Sequence, residues 1–241
     1  IGLTPLQHGS PDLPLELWIV DLMGSRVVDP YLDTLYSSFE LVRSGVTTVQ
    51  HMPYPTPGPA ANVLHSARQM IGAYKALGMR VSYNQSITDQ NRIVYGDDER
   101  FIATLPEHLR QTFRTLSIDA ALPLAEYFDI FATLASEFAS DPTVAIQLAP
   151  DNLHWCSDEA LVRVRDLSRQ HDVPLHLHLL ETEYQKVYAH KRAGCSAVEY
   201  LSQMDLLGSD RDGISGGQVP HSTRRKWRWL CPAGLLRVAG I

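Results

Sequence analysis

Two hydrophobic rhythms alternate along most of the chain. Residues 28–44 begin with acidic positions, carry an apolar stripe at helical spacing and end on Arg43, so a helix is predicted there. Gly45 breaks it, and the β-branched run Val46-Thr47-Thr48-Val49 predicts a buried strand. Pro53, Pro55, Pro57 and Pro59 remove too many backbone donors for a helix or interior strand, which makes that stretch a loop. The same alternation then recurs: a helix over 60–77 stopped by Gly78, and a strand over 80–84. Short helices follow over 97–116, one of them opened by Pro106 at its first position, then a longer helix over 123–139 and a strand over 143–148. Ser157, followed by Asp158 and Glu159, caps and charges the start of a helix reaching about Gln170. A fourth strand over 174–179 and helices over 182–192 and 196–206 complete the series.

Strand alternating with helix calls for an α/β fold with a parallel sheet and right-handed crossovers, either doubly wound or closed as a barrel. Functional groups in such folds gather at the C-terminal ends of the strands. No Gly-x-Gly-x-x-Gly follows a strand, and there is no phosphate loop and no Gly-x-Ser-x-Gly elbow, which argues against dinucleotide, nucleotide and serine-hydrolase chemistry.

Composition narrows the picture further. With 241 residues, 44% apolar and 20% charged, the chain can bury a core, which sets aside disordered and coiled-coil classes. No apolar run approaches the roughly 18–20 residues of a membrane helix, and Ile1 to Ser10 lack a secretory pattern. Cys156, Cys195 and Cys231 have neither disulfide-framework nor zinc-cluster spacing, so a cytoplasmic protein is expected. The formal charge of −6 hides an asymmetry, because residues 209–241 hold six Lys and Arg against two Asp and Glu, or +4 against −10 for the rest. This divides the chain at Gly208 into a domain over 1–208 and a basic tail over 209–241. The run Arg224-Arg225-Lys226-Trp227-Arg228-Trp229 has the ingredients of a nucleic-acid or anionic-membrane surface. A solvated tail, or sequence foreign to the domain, is the plainer reading and the one adopted, so neither a nucleic-acid nor a membrane partner is expected.

Candidate chemistry concentrates in His176-Leu177-His178-Leu179-Leu180-Glu181. On a strand, residues two apart face the same side about 6.5–7 Å apart, so both imidazoles can look into one cavity. Imidazole nitrogen suits zinc or iron, and a carboxylate three residues on can take a proton from metal-activated water. The plainer reading is a pair of histidines hydrogen-bonded inside a core. Asn152 and His154 likewise read either as polar positions reaching a substrate or as a turn before the Ser157 helix. His51 is read as a loop histidine meeting water, and His190 as a surface residue complementing the end of its helix.

Three segments, Ser44-Gly45-Val46-Thr47-Thr48-Val49, Ala149-Pro150-Asp151-Asn152-Leu153-His154-Trp155-Cys156-Ser157 and the stretch from His176 to Thr182, in this order, resemble the metal-dependent amidohydrolase superfamily. More closely, they resemble its cytosine deaminase and chlorohydrolase-like branch over residues 10–208. The resemblance implies an incomplete (β/α)8 TIM-type barrel of which strands two to five are recognisable, followed by an irregular C-terminal tail. It makes His178 a metal ligand, Glu181 the proton-shuttling catalytic residue, Asn152 and His154 substrate-binding positions, and His176 a neighbour of the site. The implied cofactor is one divalent metal ion, zinc or iron, since the strand over 144–148 offers no lysine or cysteine to bridge two. The implied activity is hydrolysis of C–N or C–halogen bonds in a small nitrogenous compound by metal-activated water.

Other ligands of the family, a His-x-His on the first strand, a histidine after the sixth and an aspartate after the eighth, find no match, and His221 is a poor substitute. The chain is therefore expected to be an internal piece of a longer enzyme, inactive by itself, with its sequence altered from about residue 209. Unpaired sheet edges make association of copies conceivable. The competing class is a non-enzymatic α/β binding or assembly module that uses its basic tail.

Overall fold

A computed structural model describes residues 28–53, 56, 58–119 and 121–207, and the basic tail lies outside them. Helix α1, Pro30–Arg43, starts where the Asp29 side chain accepts a hydrogen bond from Leu32 N and Pro30 fills a position that needs no N–H donor. Its buried face is made of Thr34, Ser37 and Ser38, packed toward α2 (Ala60–Ala76), while Leu32, Tyr36 and Phe39 face outward. Leu32, Tyr36 and Phe39 of the apolar stripe legible in the sequence therefore point away from the described core, while Leu41 packs against it. The serines bond back to their own helix at Asp33 O and Thr34 O, so that small, internally satisfied side chains face the neighbouring helix. Gly78, at φ +67°, ends the α2 segment and lets the chain turn directly into a strand.

Three strands pair in parallel in the order β1 (Thr48–His51), β2 (Arg80–Ile87), β3 (Val144–Pro150), with Val81 opposite Val144 and Ile87 opposite Pro150. The central strand β2 is buried on both faces, as its near-continuous apolar and small-polar sequence requires in a sheet covered by helices. The crossover from β2 to β3 contains α3 (Asp98–Thr104), α4 (Glu107–Arg114), a π-turn (Thr115–Asp119) and α5 (Leu124–Glu137). Pro106 caps α4 from outside rather than occupying its first turn. Tyr127, Ile130, Phe131 and Leu134 of α5 fill the core against β2 and β3. Beyond β3 come α6 (Asp158–His171), whose N-cap Ser157 accepts from Ala160 N as expected, then α7 (Glu183–Ala193) and α8 (Ala197–Gln203).

The expected fourth strand is not a continuous ladder. Residues 174–179 run parallel to the end of β3, but pair only through isolated bridges at Leu148–Leu175 and Asn152–His178, with His176 N donating to Leu148 O (3.0 Å) and His178 N to Asp151 O (3.3 Å). Four residue steps on the β3 side match three on the other, so the ladder bulges between its two bridges. Pro150 lies inside that bulge and has no N–H to donate, which accounts for the interruption. Among the described residues the fold thus comprises a parallel α/β sheet of three strands with one bridged segment beside it, consistent with a partial form of the expected barrel. No described helix is long and apolar enough to cross a membrane.

Candidate active site

The C-terminal ends of β1, β2 and β3 and of the bridged segment all open on one rim. His51 closes β1, and the sequence reading of it is corrected by the structure: it is the last strand residue, 6% exposed, with Nδ1 3.0 Å from the Tyr74 hydroxyl of α2. The strand runs two residues past Val49 and carries the ring under α2 instead of into water. Burial lowers its pKa from 6.5 to about 4, so His51 is neutral in the fold near pH 6, where an unfolded chain protonates it. The corresponding stability is complete above pH ~6.5 and is lost as pH falls toward 4, by up to about 3 kcal/mol. Urea unfolding at pH 4.5 and 7 checks this. His51→Gln, which keeps a polar contact to Tyr74 but cannot titrate, is expected to flatten the difference, and an equal pH dependence in both proteins contradicts the assignment.

Asp151, immediately beyond β3, is a functional candidate that sequence reasoning passed over. Its carboxyl is 4% exposed and accepts hydrogen bonds from the hydroxyls of Ser86 and Thr88 at the end of β2. Burial raises its pKa to about 6, against the opposing pull of those two hydroxyls and of His178 and Arg92. Its backbone carries the site, since Asp151 N donates to Ile87 O and Asp151 O accepts from His178 N. A buried carboxyl tied to β2 by its side chain and to the next segment by its carbonyl holds three strand ends in register.

His178 is half-buried at the second bridge, and the His176 ring meets it edge-on at 5.1 Å between centroids. Two imidazoles one residue apart on an extended segment thus share a side, as their spacing predicted. Burial, followed by the charge of His178, lowers the His176 pKa to about 4. Leu180 then takes φ +58°, a left-handed conformation that costs a leucine about 1–2 kcal/mol and swings the chain from the bridged segment into α7. Glu181 emerges from that turn exposed. Asn152 links the two halves: its backbone bridges to His178 and its side-chain Nδ2 donates to Glu181 Oε2 at 2.9 Å. Its Oδ1 also accepts from Leu153 N, so the turn foreseen for this residue and its contact with the site coexist. The structure therefore joins Asn152 to His178 through the backbone and to Glu181 through its side chain.

His154 is 5% exposed and lies in an aromatic stack, 4.5 Å from the Tyr95 ring and 4.3 Å from that of Trp155. Asn91 and Gln90 side chains donate to its carbonyl, at 2.8 and 3.1 Å, which fixes the loop beyond β2 against the loop beyond β3. Tyr95, Tyr184 and Tyr188 continue this aromatic surface, with Tyr184 63% exposed. His190 is exposed in the last turn of α7 together with Lys191, as expected of a dipole-complementing group. Arg192, from the same turn, folds inward to donate to the carbonyls of Leu153 and Cys156 and to Asp158.

Imidazole at a strand end with a carboxylate three residues on suits a divalent metal in donor chemistry. Among the described residues, however, no group of three or more His, Cys, Asp and Glu side chains converges to hold one.

A rim of this kind at the C-terminal edge of a parallel sheet has known counterparts. The model of the amidohydrolase family matches residues 8–218. The chain belongs to the amidohydrolase family. Within it, the chain is 24% identical over 216 residues to the 5′-deoxyadenosine deaminase of Methanothermobacter thermautotrophicus, a match covering 86% of this chain and 41% of that enzyme. The fold is shared with a zinc-bound adenosine deaminase of Xanthomonas campestris at a TM-score of 0.60 and 23% identity, covering 84% of this chain and 39% of that one. It is also shared with a variant of the atrazine chlorohydrolase of Arthrobacter aurescens, complexed with zinc and atraton, at a TM-score of 0.58 and 17% identity, covering 73% of this chain and 35% of that one. The chain thus spans about two fifths of the length of such amidohydrolases.

Proposed function

We propose that this chain carries the proton-transfer side of a metal-dependent deaminase whose substrate is a small compound with an amino-substituted nitrogen heterocycle. The observation that carries the reading is Asn152, paired through its backbone with His178 and through its side chain with Glu181, at the C-terminal rim of a parallel sheet in an amidohydrolase. In this reading the three strands and the bridged segment are strands two to five of a (β/α)8 barrel, and His178 is one ligand of a single divalent ion, with zinc favoured over iron by the zinc-bound structural relatives. This reading departs from the inactivity expected of the sequence, because it assigns the remaining ligands to residues outside the described ones. A divalent cation bound at this rim would supply a water molecule acidified toward neutral pH.

The chain's own residues then move protons and hold the substrate. Glu181 takes the proton released as water adds to the amino-bearing ring carbon and delivers it to the departing nitrogen, so that one water is consumed and one ammonia leaves. Asn152 orients the Glu181 carboxylate. His154 backs an aromatic surface on which Tyr95 and the exposed Tyr184 present faces suited to stacking against a planar ring. Deamination is favoured over dehalogenation because the matched relatives include a 5′-deoxyadenosine deaminase and a 5-methylthioadenosine/S-adenosylhomocysteine deaminase. Nothing among the described residues favours the non-enzymatic module. Ammonia release from 5′-deoxyadenosine and chloride release from a chlorotriazine, each offered separately to the zinc-supplemented full chain, test the proposal: ammonia release that depends on Glu181 supports it, and chloride release alone overturns the substrate class.

A further inference from the structure

We infer that Gln185 is a positioning residue for the reaction, whose single carboxamide holds both the backbone and the carboxylate of Glu181 so that Oε2 is tied and Oε1 is the oxygen that carries the proton. This rests on the proton-transfer role proposed for Glu181. Gln185 is 4% exposed in the first turn of α7, whose N-cap is Thr182. In a capping box the third helical residue reaches back to the N-cap N–H. Gln185 instead reaches one residue further: its Oε1 accepts from Glu181 N at 2.9 Å, while its Nε2 donates to Glu181 Oε2 at 3.3 Å. Asn152 Nδ2 donates to that same oxygen at 2.9 Å.

Two amide donors therefore converge on Oε2, and no hydrogen bond among the described residues falls on Oε1. A glutamate as exposed as Glu181 ordinarily samples many rotamers. Here the left-handed Leu180 aims the residue, and two buried amides, Gln185 and Asn152, fix its carboxylate. A proton shuttle needs one carboxylate oxygen anchored and the other exposed to reacting atoms, because a small misplacement of a catalytic group costs rate steeply. Helix capping alone accounts for the contact to Glu181 N, but not for the donor on Oε2.

Two substitutions separate these roles in the full chain. Gln185→Glu keeps an acceptor for Glu181 N and removes the donor to Oε2, whereas Gln185→Leu removes both. With zinc and 5′-deoxyadenosine, both variants are expected to lose on the order of 10–100-fold in kcat with KM within about twofold. Amide exchange at Glu181 is expected to quicken about tenfold or more in Gln185→Leu and to stay slow in Gln185→Glu. A kcat within about twofold of the unsubstituted protein in Gln185→Glu overturns the inference and leaves Gln185 a helix cap. If the unsubstituted chain releases no ammonia, the proposed function fails. Gln185 is then judged on the side-chain carboxyl carbon signal of Glu181, which must move in Gln185→Leu, or in the closely shaped Gln185→Met if leucine disturbs folding; an unmoved signal overturns the inference.

Discussion

Glu181→Gln is expected to reduce ammonia release from 5′-deoxyadenosine by the zinc-supplemented chain about 10²–10⁴-fold, the range that positioned acid–base groups contribute. The substitution preserves size and an oxygen able to accept from Asn152 Nδ2, so the contacts around the residue survive with little rearrangement. What disappears is the capacity to take up and release a proton. Glu181 is exposed and lies outside the apolar core, so the melting temperature is expected to change little. Stopped-time ammonia assays alongside thermal unfolding separate the two effects. A rate within tenfold of the unsubstituted chain removes Glu181 from the chemistry, and a matching collapse in stability reassigns it to structure.

The second large effect is on the scaffold. Phe131→Ala is expected to destabilise the domain by about 3–5 kcal/mol. Phe131 is fully buried, and with Ile130 and Leu134 it fills the space between α5 and the two strands whose ends carry Ser86 and Asp151. Its ring also meets His171, at the last turn of α6, edge-on at 5.4 Å, so truncation loosens α5 and α6 together. The surrounding strands cannot collapse into the void without breaking the parallel register of β2 and β3. Urea unfolding checks this, and a loss below about 1 kcal/mol shows that the core is not arranged as described.

Interior parallel strands declare themselves in sequence, and β2 and β3 were legible for that reason, in runs such as Val144-Ala145-Ile146. The run Val46-Thr47-Thr48-Val49, read as a buried strand, only overlaps β1 and stays partly exposed, because β1 lies at the edge of the described sheet. Helix ends with a local chemical signal were legible too, as at Ser157 and Gly78. The interruption beside Pro150 was not, because strand composition says nothing about which partner will ask for a missing N–H. The site divides similarly. His178 and Glu181 stand three residues apart in a recognisable pattern, whereas Asp151 matters through Ser86, 65 residues away, and His51 is buried by Tyr74, 23 residues further on. Whether a histidine meets water or protein is decided by the element packed over it. Gln185 lies only four residues from Glu181, but its importance depends on the left-handed turn at Leu180, a conformation leucine seldom adopts and no sequence pattern announces.

The proposed chemistry depends most on His178 serving as a metal ligand beside Glu181. The direct test is a zinc titration of the full chain followed on the imidazole nitrogen signals of its histidines. His178 is expected to respond first, and His178→Ala to abolish the response while His51 keeps its signal. Zinc that leaves His178 unmoved, or a response unchanged in His178→Ala, contradicts it.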